Sequence, residues 1–191
     1  TDSWMVNAPV SKNTIQYLID LRKNTNTPLW LGETGENSNE WFVQLRTLIE
    51  QNNIGWAWWN YKKIGTINAP VSSPTDPVYQ EILNYWGGSG SKPNFDRSLL
   101  GLNNMVENLK FENCDLRKDV VASLLSKDFQ AKGIPYKSHS IPGKVEFVDY
   151  DLGSLGVSYY DRDFIDDRSD GGSYKAWNKG YRYRNDGVDI E

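Results

Sequence analysis

The sequence predicts a parallel α/β region followed by a segment with the character of antiparallel β-structure. Two short apolar segments, 29–31 and 54–59, alternate with amphipathic stretches of helical period in this chain of 191 residues. The connections between them are short, which is typical of parallel α/β architecture. From residue 141 the pattern changes to glycine-rich turns and alternating aromatic or β-branched residues. We therefore expect α/β structure first and β-structure at the end.

The first helix is predicted over residues 12–24. Ser11 can cap it, because serine oxygens accept hydrogen bonds from the free N–H groups of a helix start. Its apolar residues Ile15, Leu18 and Ile19 fall on one helical face. Pro28 then precedes the first predicted strand.

The second helix and second strand follow directly. Asn37 and Glu40 have the three-residue spacing of a capping box, which predicts a helix start. The apolar positions after it recur at helical period: Trp41, Phe42, Leu45, Leu48 and Ile49. Segment 54–59 is too continuously apolar for a half-exposed strand, so it predicts a parallel strand covered on both faces.

Three further helices are predicted after a loop rich in Pro, Ser and Asn. The first spans about 76–86 and is followed by a flexible glycine–serine segment at 87–93. The apolar positions of the second helix are Leu99, Leu102, Val106 and Leu109. Those of the third are Val120, Val121, Leu124, Leu125 and Phe129, with a stop at Gly133 and Pro135. The predicted division is 1–88 as an α/β domain, 89–140 as linker and helical connector, and 141–191 as the start of a β-domain.

The composition excludes several classes of function. The net charge of −4 argues against a nucleic-acid partner. No apolar run approaches the roughly 20 residues of a membrane span, so we expect no membrane insertion. Cys114 and His139 are the only cysteine and the only histidine, which excludes an internal disulfide and disfavours Ser–His or Cys–His catalysis. We expect a monomer without metal or organic cofactor.

Polar and aromatic side chains meet at the carboxyl ends of the two predicted strands. Glu33 ends the first strand, and Trp58, Trp59, Asn60 and Lys62 end the second. In parallel α/β folds this edge carries the functional groups. A carboxylate beside indole rings and hydroxyl-binding groups suits a sugar ring, whose apolar face stacks on the indole.

Each of these residues also has a structural alternative. A glutamate ahead of a helix can simply favour the helix N-terminus. The tryptophan cluster can belong to the core, since strand alternation places Trp56 and Trp58 on one face and Trp59 on the other. Lys62 can be an ordinary solvated loop residue.

The stretch PLWLGETGENSNEWFVQLRTLIEQNNIGWAWWNYKK resembles the last third of a glycoside hydrolase family 5 catalytic domain, a (β/α)8 barrel of the cellulase type. The resemblance covers residues 1 to about 88. It implies that Glu33 is the nucleophile at the end of barrel strand seven. It also implies that Trp59, with Trp58 as the competing alignment, stacks under the sugar at the cleavage point.

The same resemblance suggests further substrate contacts. Asn60 and Lys62 would bind sugar hydroxyls, and Trp4 would lie in the preceding loop as an outer-subsite platform. The acid/base glutamate of the family comes from an Asn-Glu-Pro-like motif that nothing here matches. We therefore expect a fragment of a larger enzyme, inactive alone on glucan, with Glu36 as the second carboxylate if the chain proves active.

The tail, from IPGKVEFVDYDLG to YRYRNDGVDIE, is similar to the opening of a carbohydrate-binding module of the family 6 type, a β-sandwich. Tyr159, Tyr160 and Trp177 are its exposed-aromatic candidates, and a structural role is at least as good an interpretation of each. Together the two resemblances imply a secreted, retaining β-glycanase that acts on a polysaccharide, with β-1,4-glucan as the favoured substrate. The alternatives are a non-catalytic carbohydrate-binding protein and an unrelated doubly wound α/β enzyme, the latter disfavoured by the lack of a Gly-rich phosphate loop.

Overall fold

The computed structural model describes residues 10–161 and 182–188 and shows a mixed α/β protein with small sheets. Its helices are α1 (Lys12–Thr25), α2 (Asn39–Gln51), α3 (Pro77–Trp86), α4 (Phe95–Asn108) and α5 (Lys118–Leu125). Its strands are β1 (Trp30–Gly35), β2 (Gly55–Trp59), β3 (Lys62–Ile64), β4 (Val71–Ser73) and β5 (Asp115–Leu116). In the described ranges these strands form one two-stranded and one three-stranded sheet and close no barrel.

The chain divides into two compact units. The first comprises the described parts of Thr1–Asn60, Ile67–Ala69 and Arg117–Glu191. The second comprises Tyr61–Thr66 and Pro70–Leu116. The 87–93 segment connects α3 to α4 inside the second unit. The three-segment division at 88 and 140 stays a prediction.

The first unit is built on the parallel pair β1–β2, which confirms that the two predicted strands are parallel. The expected cover on both faces of β2 is wrong, because its first four residues are half-buried and its last, Trp59, is exposed. Trp30 lies opposite Gly55 at the start of the pair, and Gly35 lies opposite Trp59 at its end. The register shifts between Leu31 and Thr34, because β1 uses one more residue there than β2. Such a bulge bends the strand and re-aims the side chains that follow it.

Helices α1, α2 and α5 bury their apolar faces with these strands in one core. The predicted apolar stripes of α1 and α2 are confirmed by the buried cluster: Ile15, Ile19, Trp41, Phe42, Leu45, Ile49, Ile54, Val120 and Leu124. Since β1 and β2 are held against this core, their carboxyl ends are fixed relative to each other.

The start of α2 lies one residue later than the sequence predicts. Ser38, not Asn37, is the N-cap residue, and its hydroxyl accepts from the Trp41 N–H at 3.2 Å. The Asn37 side chain instead accepts from the Ser38 N–H at 2.8 Å. The Glu40 carboxylate accepts from Gln44 at 3.0 Å, so no Asn37–Glu40 capping box forms. Asn and Ser are both good caps, so packing rather than propensity decides between them.

The second unit contains two strands where the sequence predicts only a loop. The short strands β3 and β4 pair in parallel, and β4 pairs antiparallel with β5. Three-residue strands are too short to show a period, which explains the wrong prediction. The predicted helix after them is confirmed: Asp76 caps α3 by accepting from the Tyr79 N–H at 2.7 Å.

The end of the chain differs most from the expectation. Helix α5 ends at Leu125, and Phe129 is buried outside it with Val43 and Leu152. Over 141–161 and 182–188 the structure describes a short 3₁₀ turn at Phe147–Asp149 and no named strand. The β-structure in the described part of the tail consists of two isolated bridges, Ile134–Leu152 and Leu155–Tyr159. An alternating pattern becomes a strand only where another strand satisfies its backbone groups, so the expected sandwich opening is not seen here.

Candidate functional site

An open depression lies at the carboxyl ends of β1 and β2. It is open to solvent, holds about 30 Å³ of water-accessible space, and is lined by Glu33, Thr34, Gly35, Glu36 and Trp59. The predicted catalytic residue and the preferred predicted sugar platform therefore line the same depression. The two carboxylates can accept hydrogen bonds from a polar, ring-shaped ligand, and the indole of Trp59 can stack on the face of its ring.

Glu33 faces solvent because the backbone of β1 is irregular at this point. In a regular strand, successive side chains point to opposite faces, so exposed and buried residues alternate. In β1 they do not: Glu33 is exposed, and the next two residues, Thr34 and Gly35, are both buried. The register shift between Leu31 and Thr34 accounts for this, since a bulge changes which face a side chain takes. Glu33 therefore points away from the core, but it does not end the strand as predicted, because β1 continues for two residues to Gly35.

Gly35 permits the close approach of the two strands beside the site. Its φ is +153°, and a Cβ at this position would lie 1.8 Å from the Trp59 carbonyl oxygen. No side chain fits such a space. Glu36 follows in the left-handed region at φ +58°, so the chain turns sharply from β1 towards α2 and carries the second carboxylate to the rim.

The tryptophans of β2 separate into core and surface residues, as strand alternation predicts. Trp58 packs edge-on against Phe42 at 4.4 Å and against Trp56 at 6.0 Å between ring centroids. Trp56 donates its indole N–H to Glu50 at 3.1 Å. Trp59 is 50% exposed and lines the depression. Of the two competing alignments, the geometry therefore favours Trp59 as the ligand-facing ring.

The remaining predicted substrate residues do not line the depression. Asn60 follows Trp59 across a cis peptide bond and is half-buried, and its amide oxygen accepts no hydrogen bond from the described residues. Lys62 belongs to the second unit, where its ammonium donates to the Leu109 carbonyl at 2.5 Å, at the end of α4. Trp4 and Trp177 lie outside the described residues.

A fully buried polar cluster holds the loop between β1 and α2. The Asn185 side chain donates to the Asn37 carbonyl at 2.9 Å and to the Asn39 amide oxygen at 3.0 Å. The Asp119 carboxylate accepts from the Asn39 side chain at 3.0 Å and from the Asn185 backbone N–H at 2.7 Å. Because Glu36 directly precedes Asn37, this cluster supports the rim of the depression.

Sequence reasoning missed this cluster. Its members come from residues as far apart as 39 and 185, and sequence spacing carries no signal for contacts of that kind. Asp119 shows only the ordinary pattern of an acidic residue in the first turn of α5.

A second group of ionisable side chains adjoins the cluster. Burial, reinforced by the Asp186 carboxylate, raises the pKa of Tyr150 and of Tyr159 far above the usual value for tyrosine. Tyr150 donates to Asp186 at 2.7 Å. Burial also raises the pKa of Asp186, against the opposing effect of Arg184, whose guanidinium lies 3.8 Å from the centre of the Tyr150 ring. Tyr159 is therefore a half-buried packing residue, whereas Tyr160 is exposed.

An ion pair between Lys137 and Asp149 lies in the same unit. Their side chains are 2.7 Å apart, and Tyr183 also donates to Asp149. The Lys137 hydrogen bond, followed by that of Tyr183, lowers the pKa of Asp149, and the Asp149 carboxylate raises the pKa of Lys137. Burial and the hydrogen bond to Asp149 raise the pKa of Tyr183 to about 12.

Metal clusters and membrane-crossing helices are not found in the part of the chain that the structure describes. Within residues 10–161 and 182–188, no three His, Cys, Asp or Glu side chains group so that they could hold a metal ion. The helices of the same ranges lack the length and apolarity that crossing a bilayer requires.

No family model, no curated protein and no solved structure matches the chain. What the fold and the site define is a mixed α/β protein in which a solvent-facing glutamate and a half-exposed tryptophan share one depression at the ends of two parallel strands.

Proposed function

We propose that this chain carries the nucleophile and a sugar platform of a retaining β-glycanase that hydrolyses β-1,4-glucan. In this proposal the α/β part is the carboxy-terminal part of a (β/α)8 barrel, and the tail opens a carbohydrate-binding module. The observation that carries the proposal is the meeting of Glu33 and Trp59 in one depression at the carboxyl ends of adjacent parallel strands. That edge is where barrel enzymes place their reacting groups.

The chemistry assigned to Glu33 is nucleophilic. Its carboxylate oxygen attacks the anomeric carbon and forms a glycosyl ester, while the glycosidic oxygen leaves with a proton from a carboxylic acid. Water, deprotonated by the conjugate carboxylate, then attacks the same carbon and releases Glu33. The proposal assigns the nucleophile and leaves the acid/base outside the described residues.

Trp59 orients the sugar for this attack. Its indole ring is half-exposed and lines the depression with Glu33, so a pyranose stacked on the ring would hold its anomeric carbon near the carboxylate. The core packing of Trp58 leaves Trp59 as the platform.

The test uses a substrate that needs no acid. 2,4-Dinitrophenyl β-cellobioside has a leaving group that departs without protonation, so the nucleophile alone supports its release. We expect the chain to release dinitrophenolate, Glu33→Ala to lose that release, and azide to restore it with formation of a glycosyl azide. Glu36→Ala, at the same depression, is the matched control and keeps release.

Two results would contradict the proposal. Release that survives in Glu33→Ala would remove the nucleophile assignment. Saturable binding of cello-oligosaccharides with no release by the wild-type chain would favour the alternative, a non-catalytic carbohydrate-binding protein.

A further inference from the structure

A second exposed tryptophan, Trp30, lies on the strand pair of the first unit. Its side chain is 68% exposed. The six-membered part of its indole lies over Gly55 of β2, where an added Cβ would be 2.2 Å from Cε3 and 2.6 Å from Cζ3. Gly32 lies under the five-membered part, with the position of its missing Cβ 3.8 Å from Cδ1. The two glycines let the ring rest on the backbone of both strands while it stays open to solvent.

Trp30 and Trp59 lie on the same face of this sheet. Three side chains of the pair pack against the buried core and define the opposite face: Leu31, Trp56 and Trp58. Gly55 is the register partner of Trp30, and a Cβ on it would point into the Trp30 ring. Because alternate residues of a strand face the same way, Gly55 shares its face with Trp59, four positions along β2. We call this the open face.

Glu33 lies between the two rings on the open face. In the bulge of β1, Gly32 and Glu33 together oppose the single residue Ala57 of β2, and both are exposed. A strand rises about 3.3 Å per residue, so the positions of Gly55 and Trp59 are about 13 Å apart along the sheet. The open face therefore presents a ring, a carboxylate and a second ring in a row, over a floor of small residues.

We propose that Trp30 is a second stacking platform, so that an extended glucan chain runs along the open face from Trp59, past Glu33, to Trp30. This inference rests on the proposed function, to which it adds a binding subsite. The apolar faces of successive sugar rings stack on the two indoles, and hydroxyls between them donate to the carboxylate. The two platforms are farther apart than the length of one sugar ring, so only a ligand of several rings reaches both.

The carboxylate between the rings favours a glycan over other ligands for this face. A protein surface that covered both tryptophans would also bury Glu33, which costs free energy unless a cation or several donors pair with it. A sugar chain carries hydroxyl donors along its whole length and leaves the carboxylate in contact with water. An anionic polymer would be repelled by the same charge.

The experiment compares two equally exposed tryptophans. Trp86 is 67% exposed and ends α3 in the second unit, so Trp86→Ala is the matched control for Trp30→Ala. Titration calorimetry measures cellobiose and cellohexaose binding to the wild-type chain and to both variants. We expect Trp30→Ala to weaken cellohexaose binding roughly 5- to 150-fold, the scale of stacking on bases. The loss for cellobiose should be much smaller, because a disaccharide is too short to span both platforms. Trp86→Ala should bind both sugars as wild type does.

A further variant separates stacking from packing. Trp30→Leu keeps an apolar side chain over Gly55 but has no aromatic face, so it should hold the wild-type urea midpoint and still lose cellohexaose affinity. Wild-type affinity in Trp30→Leu, or equal losses for cellobiose and cellohexaose in Trp30→Ala, would overturn the proposal. It would also be overturned if Trp30→Ala abolished self-association in sedimentation and left sugar binding unchanged, since a second copy would then cover the ring.

Failure of this inference is distinguishable from failure of the proposed function. If only the second platform is wrong, the Trp30 variants bind cellohexaose as wild type does, while Trp59→Ala weakens that binding and dinitrophenolate release still depends on Glu33. If the proposed function is wrong, the wild-type chain shows no release that depends on Glu33. A wild-type chain that binds cellohexaose no more tightly than cellobiose would overturn the second platform alone.

Discussion

Replacing each of the last two tryptophans of β2 by alanine distinguishes a ligand-binding role from a packing role. Trp58 packs on Phe42 and Trp56, whereas Trp59 is half-exposed. An indole side chain buries up to about 200 Å², and buried apolar area contributes roughly 25 cal/mol per Å². The loss in unfolding free energy is then at most about 5 kcal/mol for Trp58→Ala and about 2.5 kcal/mol for Trp59→Ala, whose side chain is half exposed. These are upper values, and their difference is the robust quantity.

Ligand affinity is expected to respond in the opposite order. Stacking of a ring on an aromatic side chain is worth about 1–3 kcal/mol in the case of nucleic-acid bases, a scale that we adopt for sugars. Trp59→Ala should therefore weaken cellohexaose binding roughly 5- to 150-fold. A variant of Trp58 that remains folded, Trp58→Phe, should bind almost as wild type.

The assays are urea denaturation followed by far-ultraviolet circular dichroism and titration calorimetry with cellohexaose. The reasoning is refuted if Trp59→Ala lowers the unfolding free energy as much as Trp58→Ala does. It is also refuted if Trp59→Ala folds normally and binds cellohexaose with unchanged affinity.

Three further predictions concern the supports of the site. Gly35→Ala places a Cβ against the Trp59 carbonyl oxygen, so it should lower the unfolding free energy by about 3 kcal/mol and weaken cellohexaose binding. An unchanged urea midpoint would contradict the close approach of β1 and β2 at Gly35. Asp119→Ala leaves two buried donors without their acceptor and should cost about 3–5 kcal/mol in urea denaturation; a loss below about 1 kcal/mol would show that the cluster is not closed. Tyr150 and Tyr159 have pKa values raised above that of the unfolded chain, so the stability they contribute is complete below about pH 10 and falls as the pH rises further. Their phenolate absorbance should therefore appear only with alkaline unfolding, and reversible titration of every tyrosine in the folded protein would contradict this.

The helices and the parallel strand pair could be predicted because their signals are local. The stripe from Trp41 to Ile49 shows a helical period, and the continuous apolar run of 54–59 indicates a strand. That run does not show how far the strand is covered, and β2 is only half-buried. The same pattern places Glu33 near the end of the strand, although β1 continues to Gly35. Its orientation towards solvent did not, because that depends on the register shift in β1.

The features that escaped prediction depend on distant contacts. Asn37, Ser38 and Asn39 are all residue types that cap helices well. Ser38 is the N-cap residue because the Asn39 side chain is held by hydrogen bonds with Asp119 and Asn185. The sequence of the tail alternates as in a strand. Asn185 in this tail is instead fully buried, and its side chain donates a hydrogen bond to the loop before α2. A sequence of alternating residues cannot show which partner will satisfy its backbone.

The most direct test of the central claim is to trap the glycosyl ester. The chain is incubated with 2,4-dinitrophenyl 2-deoxy-2-fluoro-β-cellobioside, whose fluorine slows both formation and hydrolysis of the ester while the good leaving group keeps formation the faster step. Intact mass and peptide mapping then locate the label, with Glu33→Gln and Glu36→Gln as matched variants. The account predicts one fluorocellobiosyl group per chain on Glu33, lost in Glu33→Gln and kept in Glu36→Gln. A label on Glu36, or an unlabelled chain that still binds cellohexaose, would contradict it.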